Sequence, residues 1–246
     1  MADPNDKHGA VAPGADNAQR QEVRRSVLRK VTGRGVPTFI EQVRAPSGTP
    51  CLLIVERMAR GPEISDKEAD AFVSEARAAS SLQHVNVLRG RAVTIRKDEI
   101  IVASDFVEGE RLSDLWRALA ASGKTMPPDI AARILIDVLA GLQALHEHAD
   151  PKGPGQKLIH GEMTAANVLV GTDGISRILH ASRIRRSGAL PADAGSIAPE
   201  IVSKAAADRR ADVFSVGVLL WQALSGVASL GEASNAQPTA PRIGVR

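Results

Sequence analysis

The segment from residue 213 to 224 constrains this chain most, because it predicts a helix with no polar face. It reads VFSVGVLLWQAL, and only Ser215 and Gln222 interrupt the series of apolar and small residues. Such a helix is stable in water only when other elements surround it. The apolar run ends by residue 226, short of the roughly 20 residues that a membrane-spanning helix needs. We therefore expect a globular core built around this helix and no membrane span.

The chain that follows this helix is short and mostly polar. Residues 229–246 predict a disordered tail, and so do residues 1–26, which are rich in Ala, Pro, Asp, Asn and Gln. Three arrangements remain open for the apolar helix. The tail covers it, a protein partner or a second copy covers it, or the product is truncated and marginally folded. Exposed apolar surface of this size is typical of an interface or of an aggregation hazard.

The rest of the sequence predicts strands first and helices afterwards. Residues 27–60 alternate short β-like runs with Gly and Pro turns, and residues 93–104 predict a further pair of strands. Ser65, with a Glu three residues later, forms a capping box before a helical apolar pattern. Pro127 and Pro128 open a long helix, because proline is tolerated in a first helical turn. This order favours an α+β fold.

A more specific signal lies at residues 158–170, which read LIHGEMTAANVLV. This segment resembles the catalytic loop of eukaryotic-type protein kinases, in which His-Arg-Asp is followed by an Asn and an apolar strand. Residues 198–200 match the family's Ala-Pro-Glu motif, and residues 212–217 match the start of its αF helix. The resemblance runs from about residue 27 to 227 and includes an insert typical of certain bacterial Ser/Thr kinases. It assigns structural roles to His160, Ala198, Pro199, Glu200 and Asp212.

The resemblance implies a two-lobed, protein-kinase-like α+β fold with a β-rich N-lobe and a helical C-lobe. The N-lobe is expected over residues 27–107 and a partial C-lobe over residues 108–228. In the family, later helices cover the αF helix, so we expect this C-lobe to be truncated after its αF-like helix. The resemblance also implies that Asp212 accepts hydrogen bonds from the backbone of the catalytic loop.

Three charged positions of the family's catalytic loop are replaced. Gly161 replaces the Arg, Glu162 the catalytic Asp, and Thr164 a Lys that neutralises phosphate, whereas His160 and Asn167 are kept. Phosphoryl transfer relies on positioning and charge stabilisation, and a misplacement of about 1 Å can slow catalysis about 10²-fold. Because Glu162 keeps a carboxylate on a longer side chain, the expected catalytic residues are a degenerate Glu162 together with Asn167.

The metal-binding and phosphate-binding groups of the family are also replaced. His180 stands where the resemblance places a metal-binding Asp, and an imidazole is a poor ligand for Mg²⁺. Asn167 alone would bind this ion weakly. Glu56 occupies the position of the ATP-binding Lys, and its family partner position is Glu75. Two facing glutamates repel each other unless Arg57, Arg77 or a displaced basic residue intervenes, or unless one of them points to solvent.

The remaining nucleotide-binding positions implied by the resemblance form two sets. Gly33 and Gly35 keep two of the three glycines of the phosphate-binding loop, a pattern equally typical of an ordinary strand turn. Ile40, Ile54 and Leu169 would line an apolar adenine pocket. We therefore expect either no cofactor or ATP with weak affinity, and weak Mg²⁺ binding at most.

Composition excludes several other classes of function. The net charge is only +3, and the chain has two Trp, four Phe and no Tyr, so it lacks an aromatic platform for nucleic acid. The single cysteine, Cys51, suits a reducing compartment, and the N-terminus lacks the pattern of a signal peptide. We expect a cytoplasmic protein. His146 and His148 are two residues apart and would face different sides of a helix, which disfavours a histidine metal cluster.

Three hypotheses about function follow from these residues. The first is a catalytically inactive pseudokinase that acts as a signalling or interaction module and binds a protein partner. The second is an atypical or weakly active Ser/Thr protein kinase that transfers the ATP γ-phosphate to protein hydroxyls. The third is a truncated, non-functional kinase remnant. The joint replacement of the family's Lys, catalytic Asp and metal-binding Asp favours the first.

Overall fold

The protein, seen in a computed structural model, begins with a five-stranded antiparallel sheet. The structure describes residues 25–31, 37–44, 47–59, 81–96, 99–148, 158–179, 194–203 and 205–226. The order of the strands in the sheet is β1-β2-β3-β5-β4. The strands are β1 (Arg25–Val31), β2 (Thr38–Arg44), β3 (Pro50–Ala59), β4 (Gly90–Ile95) and β5 (Glu99–Asp105).

The two faces of this sheet carry different residues. One face carries a small buried core, formed by Val43, Leu53, Val55, Ile101 and Ala103. On the other face Ile40 pairs directly with Ile54, and Thr38 pairs directly with Glu56. Because successive side chains of a strand alternate between faces, Ile54 and Glu56 share this second face. Glu56, a predicted site residue, therefore lies on the same face as Ile40 and Ile54, which are predicted to line an apolar pocket.

In the described residues, a smaller sheet and four helices form the second part of the molecule. The order of the small sheet is β6-β7-β8. Helices α2 and α4 pack against each other and supply most of the main core. The elements are β6 (Gly109–Arg111), α1 (Leu112–Ala121), α2 (Pro128–Glu147), β7 (Val168–Gly171), β8 (Ser176–Ile178), α3 (Pro199–Val202) and α4 (Arg210–Ser225), with 3₁₀ turns at Ala165–Asn167 and Ala194–Ser196.

Asn86 connects the segment before β4 to the small sheet. Its side-chain amide donates to the carbonyl of Ser176 at 3.0 Å, and its own carbonyl accepts from the N–H of Ile178 at 2.9 Å. Helix α2 approaches the same carbonyl so closely that only a glycine fits. A Cβ atom on Gly141 would lie 2.5 Å from the carbonyl oxygen of Asn86.

Gly141→Ala is expected to destabilise the protein by about 1–3 kcal/mol, the usual effect of overpacking. The clash with the Asn86 backbone outweighs the gain of about 1 kcal/mol that alanine brings to a helix interior. Urea denaturation measures the change. Gly217→Ala in α4 is the matched control, because nothing lies within 4 Å of its added Cβ and a small gain in stability is expected. Equal effects of the two substitutions would contradict the close contact.

Helix α4 is less enclosed than its sequence predicts. Its inner face is buried, with Leu219 fully inaccessible to solvent. Its outer face carries Val213, Phe214, Leu220 and Leu224, whose exposed fractions are 55%, 42%, 41% and 41%. The described elements therefore cover only the inner face of α4, and the three arrangements that the sequence leaves open for its outer face stay predictions.

The observed architecture confirms the predicted α+β, two-lobed kinase-like fold. The predicted strands and the long helix beginning at Pro128 are present, and β1 begins at Arg25, slightly upstream of the boundary predicted at residue 27. The helix predicted after Ser65 lies outside the described residues. Among the helices that the structure describes, none is both long and apolar enough to cross a bilayer.

Candidate functional site

A buried carboxylate, Asp212 in the first turn of α4, holds the loop that precedes the first 3₁₀ turn. Its Oδ2 accepts a hydrogen bond from the backbone N–H of His160 at 2.8 Å, and its Oδ1 accepts one from the N–H of Gly161 at 2.6 Å. Nε2 of His146, near the end of α2, lies 2.7 Å from Oδ2. One side chain thus joins this loop to both long helices.

The contacts of Asp212 favour its charged form although the side chain is fully buried. Burial alone would raise the pKa of this carboxyl. The hydrogen bond with His146, the charge of His160 and the two backbone N–H donors outweigh burial, and the pKa of Asp212 is lowered from its ordinary value. The folded loop is therefore built around a carboxylate at neutral pH.

Further hydrogen bonds fix the loop around Glu162. Nε2 of His160 lies 2.8 Å from the carbonyl oxygen of Leu179, and the N–H of Leu179 donates to the carbonyl of Asn167 at 2.8 Å. The side-chain amide of Asn167 donates to the carbonyl of Glu162 at 2.7 Å. The backbone on both sides of Glu162 is thereby held in place, at the position where the resemblance puts the proton acceptor.

Gly161 gives this loop its bend. Its φ is +69°, in the left-handed region that glycine adopts without steric cost. The half-buried Glu162 follows directly, and its carboxylate is of a type that can accept a hydroxyl proton. The loop thus keeps a base-type side chain while losing the family's Arg at the preceding residue.

An ion pair crosses between the two sheets of the molecule. Nη2 of Arg111 on β6 lies 3.4 Å from Oε1 of Glu56 on β3, and the two side chains are only 16% and 22% exposed. The resemblance assigns Glu56 to the family's Lys position. In the structure this side chain is a carboxylate paired with a guanidinium.

The same ion pair shows which residues line the space between the sheets. Ile40 and Ile54 share the Glu56 face of the large sheet. Leu169 is the direct antiparallel partner of Arg111 in the small sheet, and directly opposite residues share a face. Ile40 and Ile54 thus form one wall of the cleft and Leu169 belongs to the other. We call this space the interlobe cleft.

Arg57 does not neutralise Glu56, which corrects one of the alternatives raised by the sequence. Its guanidinium lies 3.5 Å from Glu41 and 3.6 Å from Glu99, and it stacks 5.6 Å from the centre of the Phe39 ring. Adjacent residues of a strand point to opposite faces, so Arg57 lies on the other side of the sheet. The displaced basic residue is Arg111.

Four predicted site residues, Gly33, Gly35, Glu75 and His180, lie outside the described residues, and their roles stay predictions. Within the described ranges, no group of three or more His, Cys, Asp or Glu side chains is arranged to hold a metal ion. Asn167 uses its amide nitrogen within the loop, and a single amide oxygen is a weak ligand for Mg²⁺.

Residues 194–202 place the Ala-Pro-Glu motif against α4. Ala198 is fully buried immediately before α3, Pro199 is the first residue of that helix and Glu200 is partly exposed. The fully buried Ser196 accepts a hydrogen bond at its Oγ from Nε2 of Gln222 at 3.2 Å. This segment is therefore anchored to the polar residue that interrupts the apolar run of α4.

Sequence reasoning assigned no role in the site to Arg111 and considered His146 only as a metal ligand. Arg111 is 55 residues from Glu56, and no local pattern connects the two. The available signal was chemical, because a carboxylate at position 56 in an apolar cleft needs a cation close by. For His146 the available signal was its position near the end of the long helix that precedes the loop bound by Asp212.

The chain matches the family model of the protein kinase domain over residues 50–241. It is 25% identical over 210 residues to the tyrosine-protein kinase MasK of Myxococcus xanthus, a match that covers 82% of this chain and 32% of that protein. A probable LRR receptor-like serine/threonine-protein kinase of Arabidopsis thaliana is 28% identical over 164 residues, covering 63% of this chain and 26% of the plant protein. The chain thus spans about a third or less of these curated relatives.

Solved structures show the same fold. The crystal structure of the Mycobacterium tuberculosis PknI kinase domain superimposes with a TM-score of 0.64 at 18% sequence identity. The match covers 83% of this chain and 75% of the PknI chain. At this level of identity the similarity shows the architecture of the polypeptide and nothing about its chemistry.

Proposed function

Since this chain belongs to the protein kinase family, we propose that it is a catalytically inactive member that acts as an interaction module in signalling. The observation that carries the proposal is the ion pair between Glu56 and Arg111. It puts a carboxylate into the interlobe cleft at the position where the family's Lys would hold ATP phosphates. We place the protein among bacterial-type kinases of the cytoplasm.

The charges in the interlobe cleft disfavour the binding of a nucleoside triphosphate. The Glu56 carboxylate repels phosphates, and the charge of Arg111 is already matched by Glu56. Recruiting Arg111 to a phosphate would leave a partly buried carboxylate without its cation, which is unfavourable. Removing a single preorganised electrostatic group lowers the catalytic rate by roughly 10²–10³-fold in a typical enzyme. Here the residues at positions 56, 162 and 180 are all replaced, so these losses combine.

The apolar walls of the interlobe cleft leave room for a weaker role of the nucleotide. Ile40, Ile54 and Leu169 offer contacts to a flat base without using phosphate or metal. We propose that ATP binds weakly or not at all, and that Mg²⁺ does not strengthen its binding. This combination suits a module whose output is the binding of a protein partner.

Calorimetry of ATP binding tests the proposal, once a melting curve has shown that the protein is folded. We expect no saturable heat at ATP concentrations up to about 1 mM, with or without Mg²⁺, which corresponds to less than about 4 kcal/mol of binding free energy. Micromolar, Mg²⁺-dependent binding would contradict the assigned roles of Glu56 and His180.

An atypical active kinase is the second candidate function, and one observation favours it. The hydrogen bonds from Asn167 and Asp212 hold the Glu162 loop in an ordered conformation. If this kinase transfers phosphate to protein hydroxyls, Glu162 is its base and Glu162→Gln lowers turnover by about 10²–10⁴-fold. If the interaction module is the correct proposal, labelled ATP gives the same background signal with the wild type and with Glu162→Gln.

The outer face of α4 supports an interaction role. Val213, Leu220 and Leu224 are partly exposed at positions i, i+7 and i+11, with Gly217 between them, so they lie along one side of the helix. Contiguous apolar surface of this kind is typical of protein interfaces. The partner class that we propose is therefore a protein and not a nucleic acid.

A further inference from the structure

A cavity of about 460 Å³ lies between α1, the 3₁₀ turn at Ala165–Asn167 and the end of α4. Its lining includes Trp116 and Leu119 of α1, Ala165 of the turn and Ala223 of α4. We call it the α1–α4 cavity. Its size falls within the range of about 300–1,000 Å³ that is typical of small-molecule sites.

Two ordered backbone segments border the α1–α4 cavity. The turn after α1 is closed by hydrogen bonds from the N–H groups of Ser122 and Lys124 to the carbonyl of Leu119. At the far end, α4 stops at Gly226, whose φ of +72° ends the helix. A Cβ on Gly226 would lie 3.2 Å from Cγ2 of Thr125. The turn after α1 and the end of α4 are therefore ordered backbone segments next to the cavity.

The charged residues that line the α1–α4 cavity have one sign. Its charged lining residues are Arg117 and Lys124, and both are cationic. Asp114 is the nearby acid, and it pairs with Arg117 at 2.9 Å in an exposed position. Lys124, which is exposed in the loop after α1, adds positive charge next to an apolar interior. This combination favours a ligand with an apolar body and a negatively charged end.

We propose that the α1–α4 cavity binds a small molecule consisting of an apolar chain that ends in a carboxylate. The chain packs against Trp116, Leu119 and Ala223, and the carboxylate stays near Lys124 and Arg117. Thr164 also lines the cavity, and it directly precedes the Ala165–Asn167 turn, whose Asn167 amide donates to the carbonyl of Glu162. A bound ligand therefore stabilises the underside of the Glu162 loop, independently of any nucleotide.

Fluorescence of Trp116 tests this proposal directly, because the chain contains only two Trp and no Tyr. In a Trp221→Phe background, Trp116 is the sole Trp reporter. Dodecanoate, titrated below its micelle concentration into the full chain, is expected to change the emission saturably. Dodecanol is expected to bind about two- to five-fold more weakly, the effect of losing an exposed charge interaction. Dodecyltrimethylammonium, with the same chain and opposite charge, is expected to bind more weakly still.

A pair of substitutions on α1 locates the binding site. Ala120 is exposed and lines the cavity, whereas the exposed Ala118 does not. Ala120→Phe should fill part of the space and weaken dodecanoate binding about tenfold or more, while Ala118→Phe should leave it unchanged. Bound dodecanoate should also raise the melting temperature of the full chain. Absence of saturable binding, equal effects of the two variants, or preference for the cationic amphiphile would each overturn the proposal.

Discussion

Asp212→Ala is expected to destabilise the protein by about 3–5 kcal/mol, the effect of breaking a buried charged network by removing one partner. The substitution leaves the N–H groups of His160 and Gly161 and the ring of His146 without the oxygen atoms that they contact. Unpaired buried donors lose their full hydration energy. Urea denaturation followed by circular dichroism measures the loss.

The pH dependence of the unfolding free energy tests whether the charge of Asp212 is the cause of this stabilisation. Because folding lowers the pKa of this carboxyl below its ordinary value of 3.8, its contribution is fully present above that value. It is lost as the pH falls through the lower folded value. The difference in unfolding free energy between the wild type and Asp212→Asn should therefore shrink as the pH falls below about 4.

Asp208→Asn is the matched control for this experiment. Asp208 lies close to the start of α4 and also forms an ion pair, with Arg210, but both side chains are exposed. Its replacement should have a much smaller effect on the melting temperature than that of Asp212. A similar loss for both variants would show that charge near the helix start, and not the buried loop contacts, stabilises this region.

Glu56→Lys is expected to create measurable nucleotide binding, with an affinity for ATP at least tenfold higher than that of the wild type. The substitution removes a carboxylate that repels phosphates and adds an ammonium next to Arg111. A hydrogen bond to a charged group contributes about 1.5–3 kcal/mol, which corresponds to roughly ten- to a hundred-fold in affinity. Calorimetry or a fluorescent ATP analogue measures the gain.

Two variants test whether the sign of the charge at residue 56 controls ATP binding. Glu110→Lys changes the net charge equally, but Glu110 is an exposed neighbour of Arg111 on the opposite face of β6, so ATP binding should not appear. Arg111→Ala leaves Glu56 in the cleft without its cation, and ATP binding should again be undetectable. Binding by Arg111→Ala would show that the ion pair acts by blocking the cleft and that the sign of residue 56 matters less.

Much of the fold was predictable because its signals are local and ordered along the chain. The apolar pattern of residues 213–224, the prolines before α2 and the loop at 158–170 each require only neighbouring residues to be recognised. Their order along the sequence predicted an α+β fold, and the resemblance to the protein kinases implied its two lobes. The resemblance also implied that Asp212 contacts the loop backbone, and the described hydrogen bonds have that arrangement.

The balance of charge in the interlobe cleft could not be predicted from the sequence, because it depends on contacts between residues that are far apart in the chain. The sequence alone determined that a carboxylate stands at position 56 and that the catalytic-loop carboxylate is a glutamate. Only the tertiary structure decided that Arg111 neutralises Glu56, that Arg57 faces away, and that α4 keeps an exposed apolar side. Strand alternation and antiparallel register set which side chains meet across 55 residues, and no local sequence pattern encodes those distances.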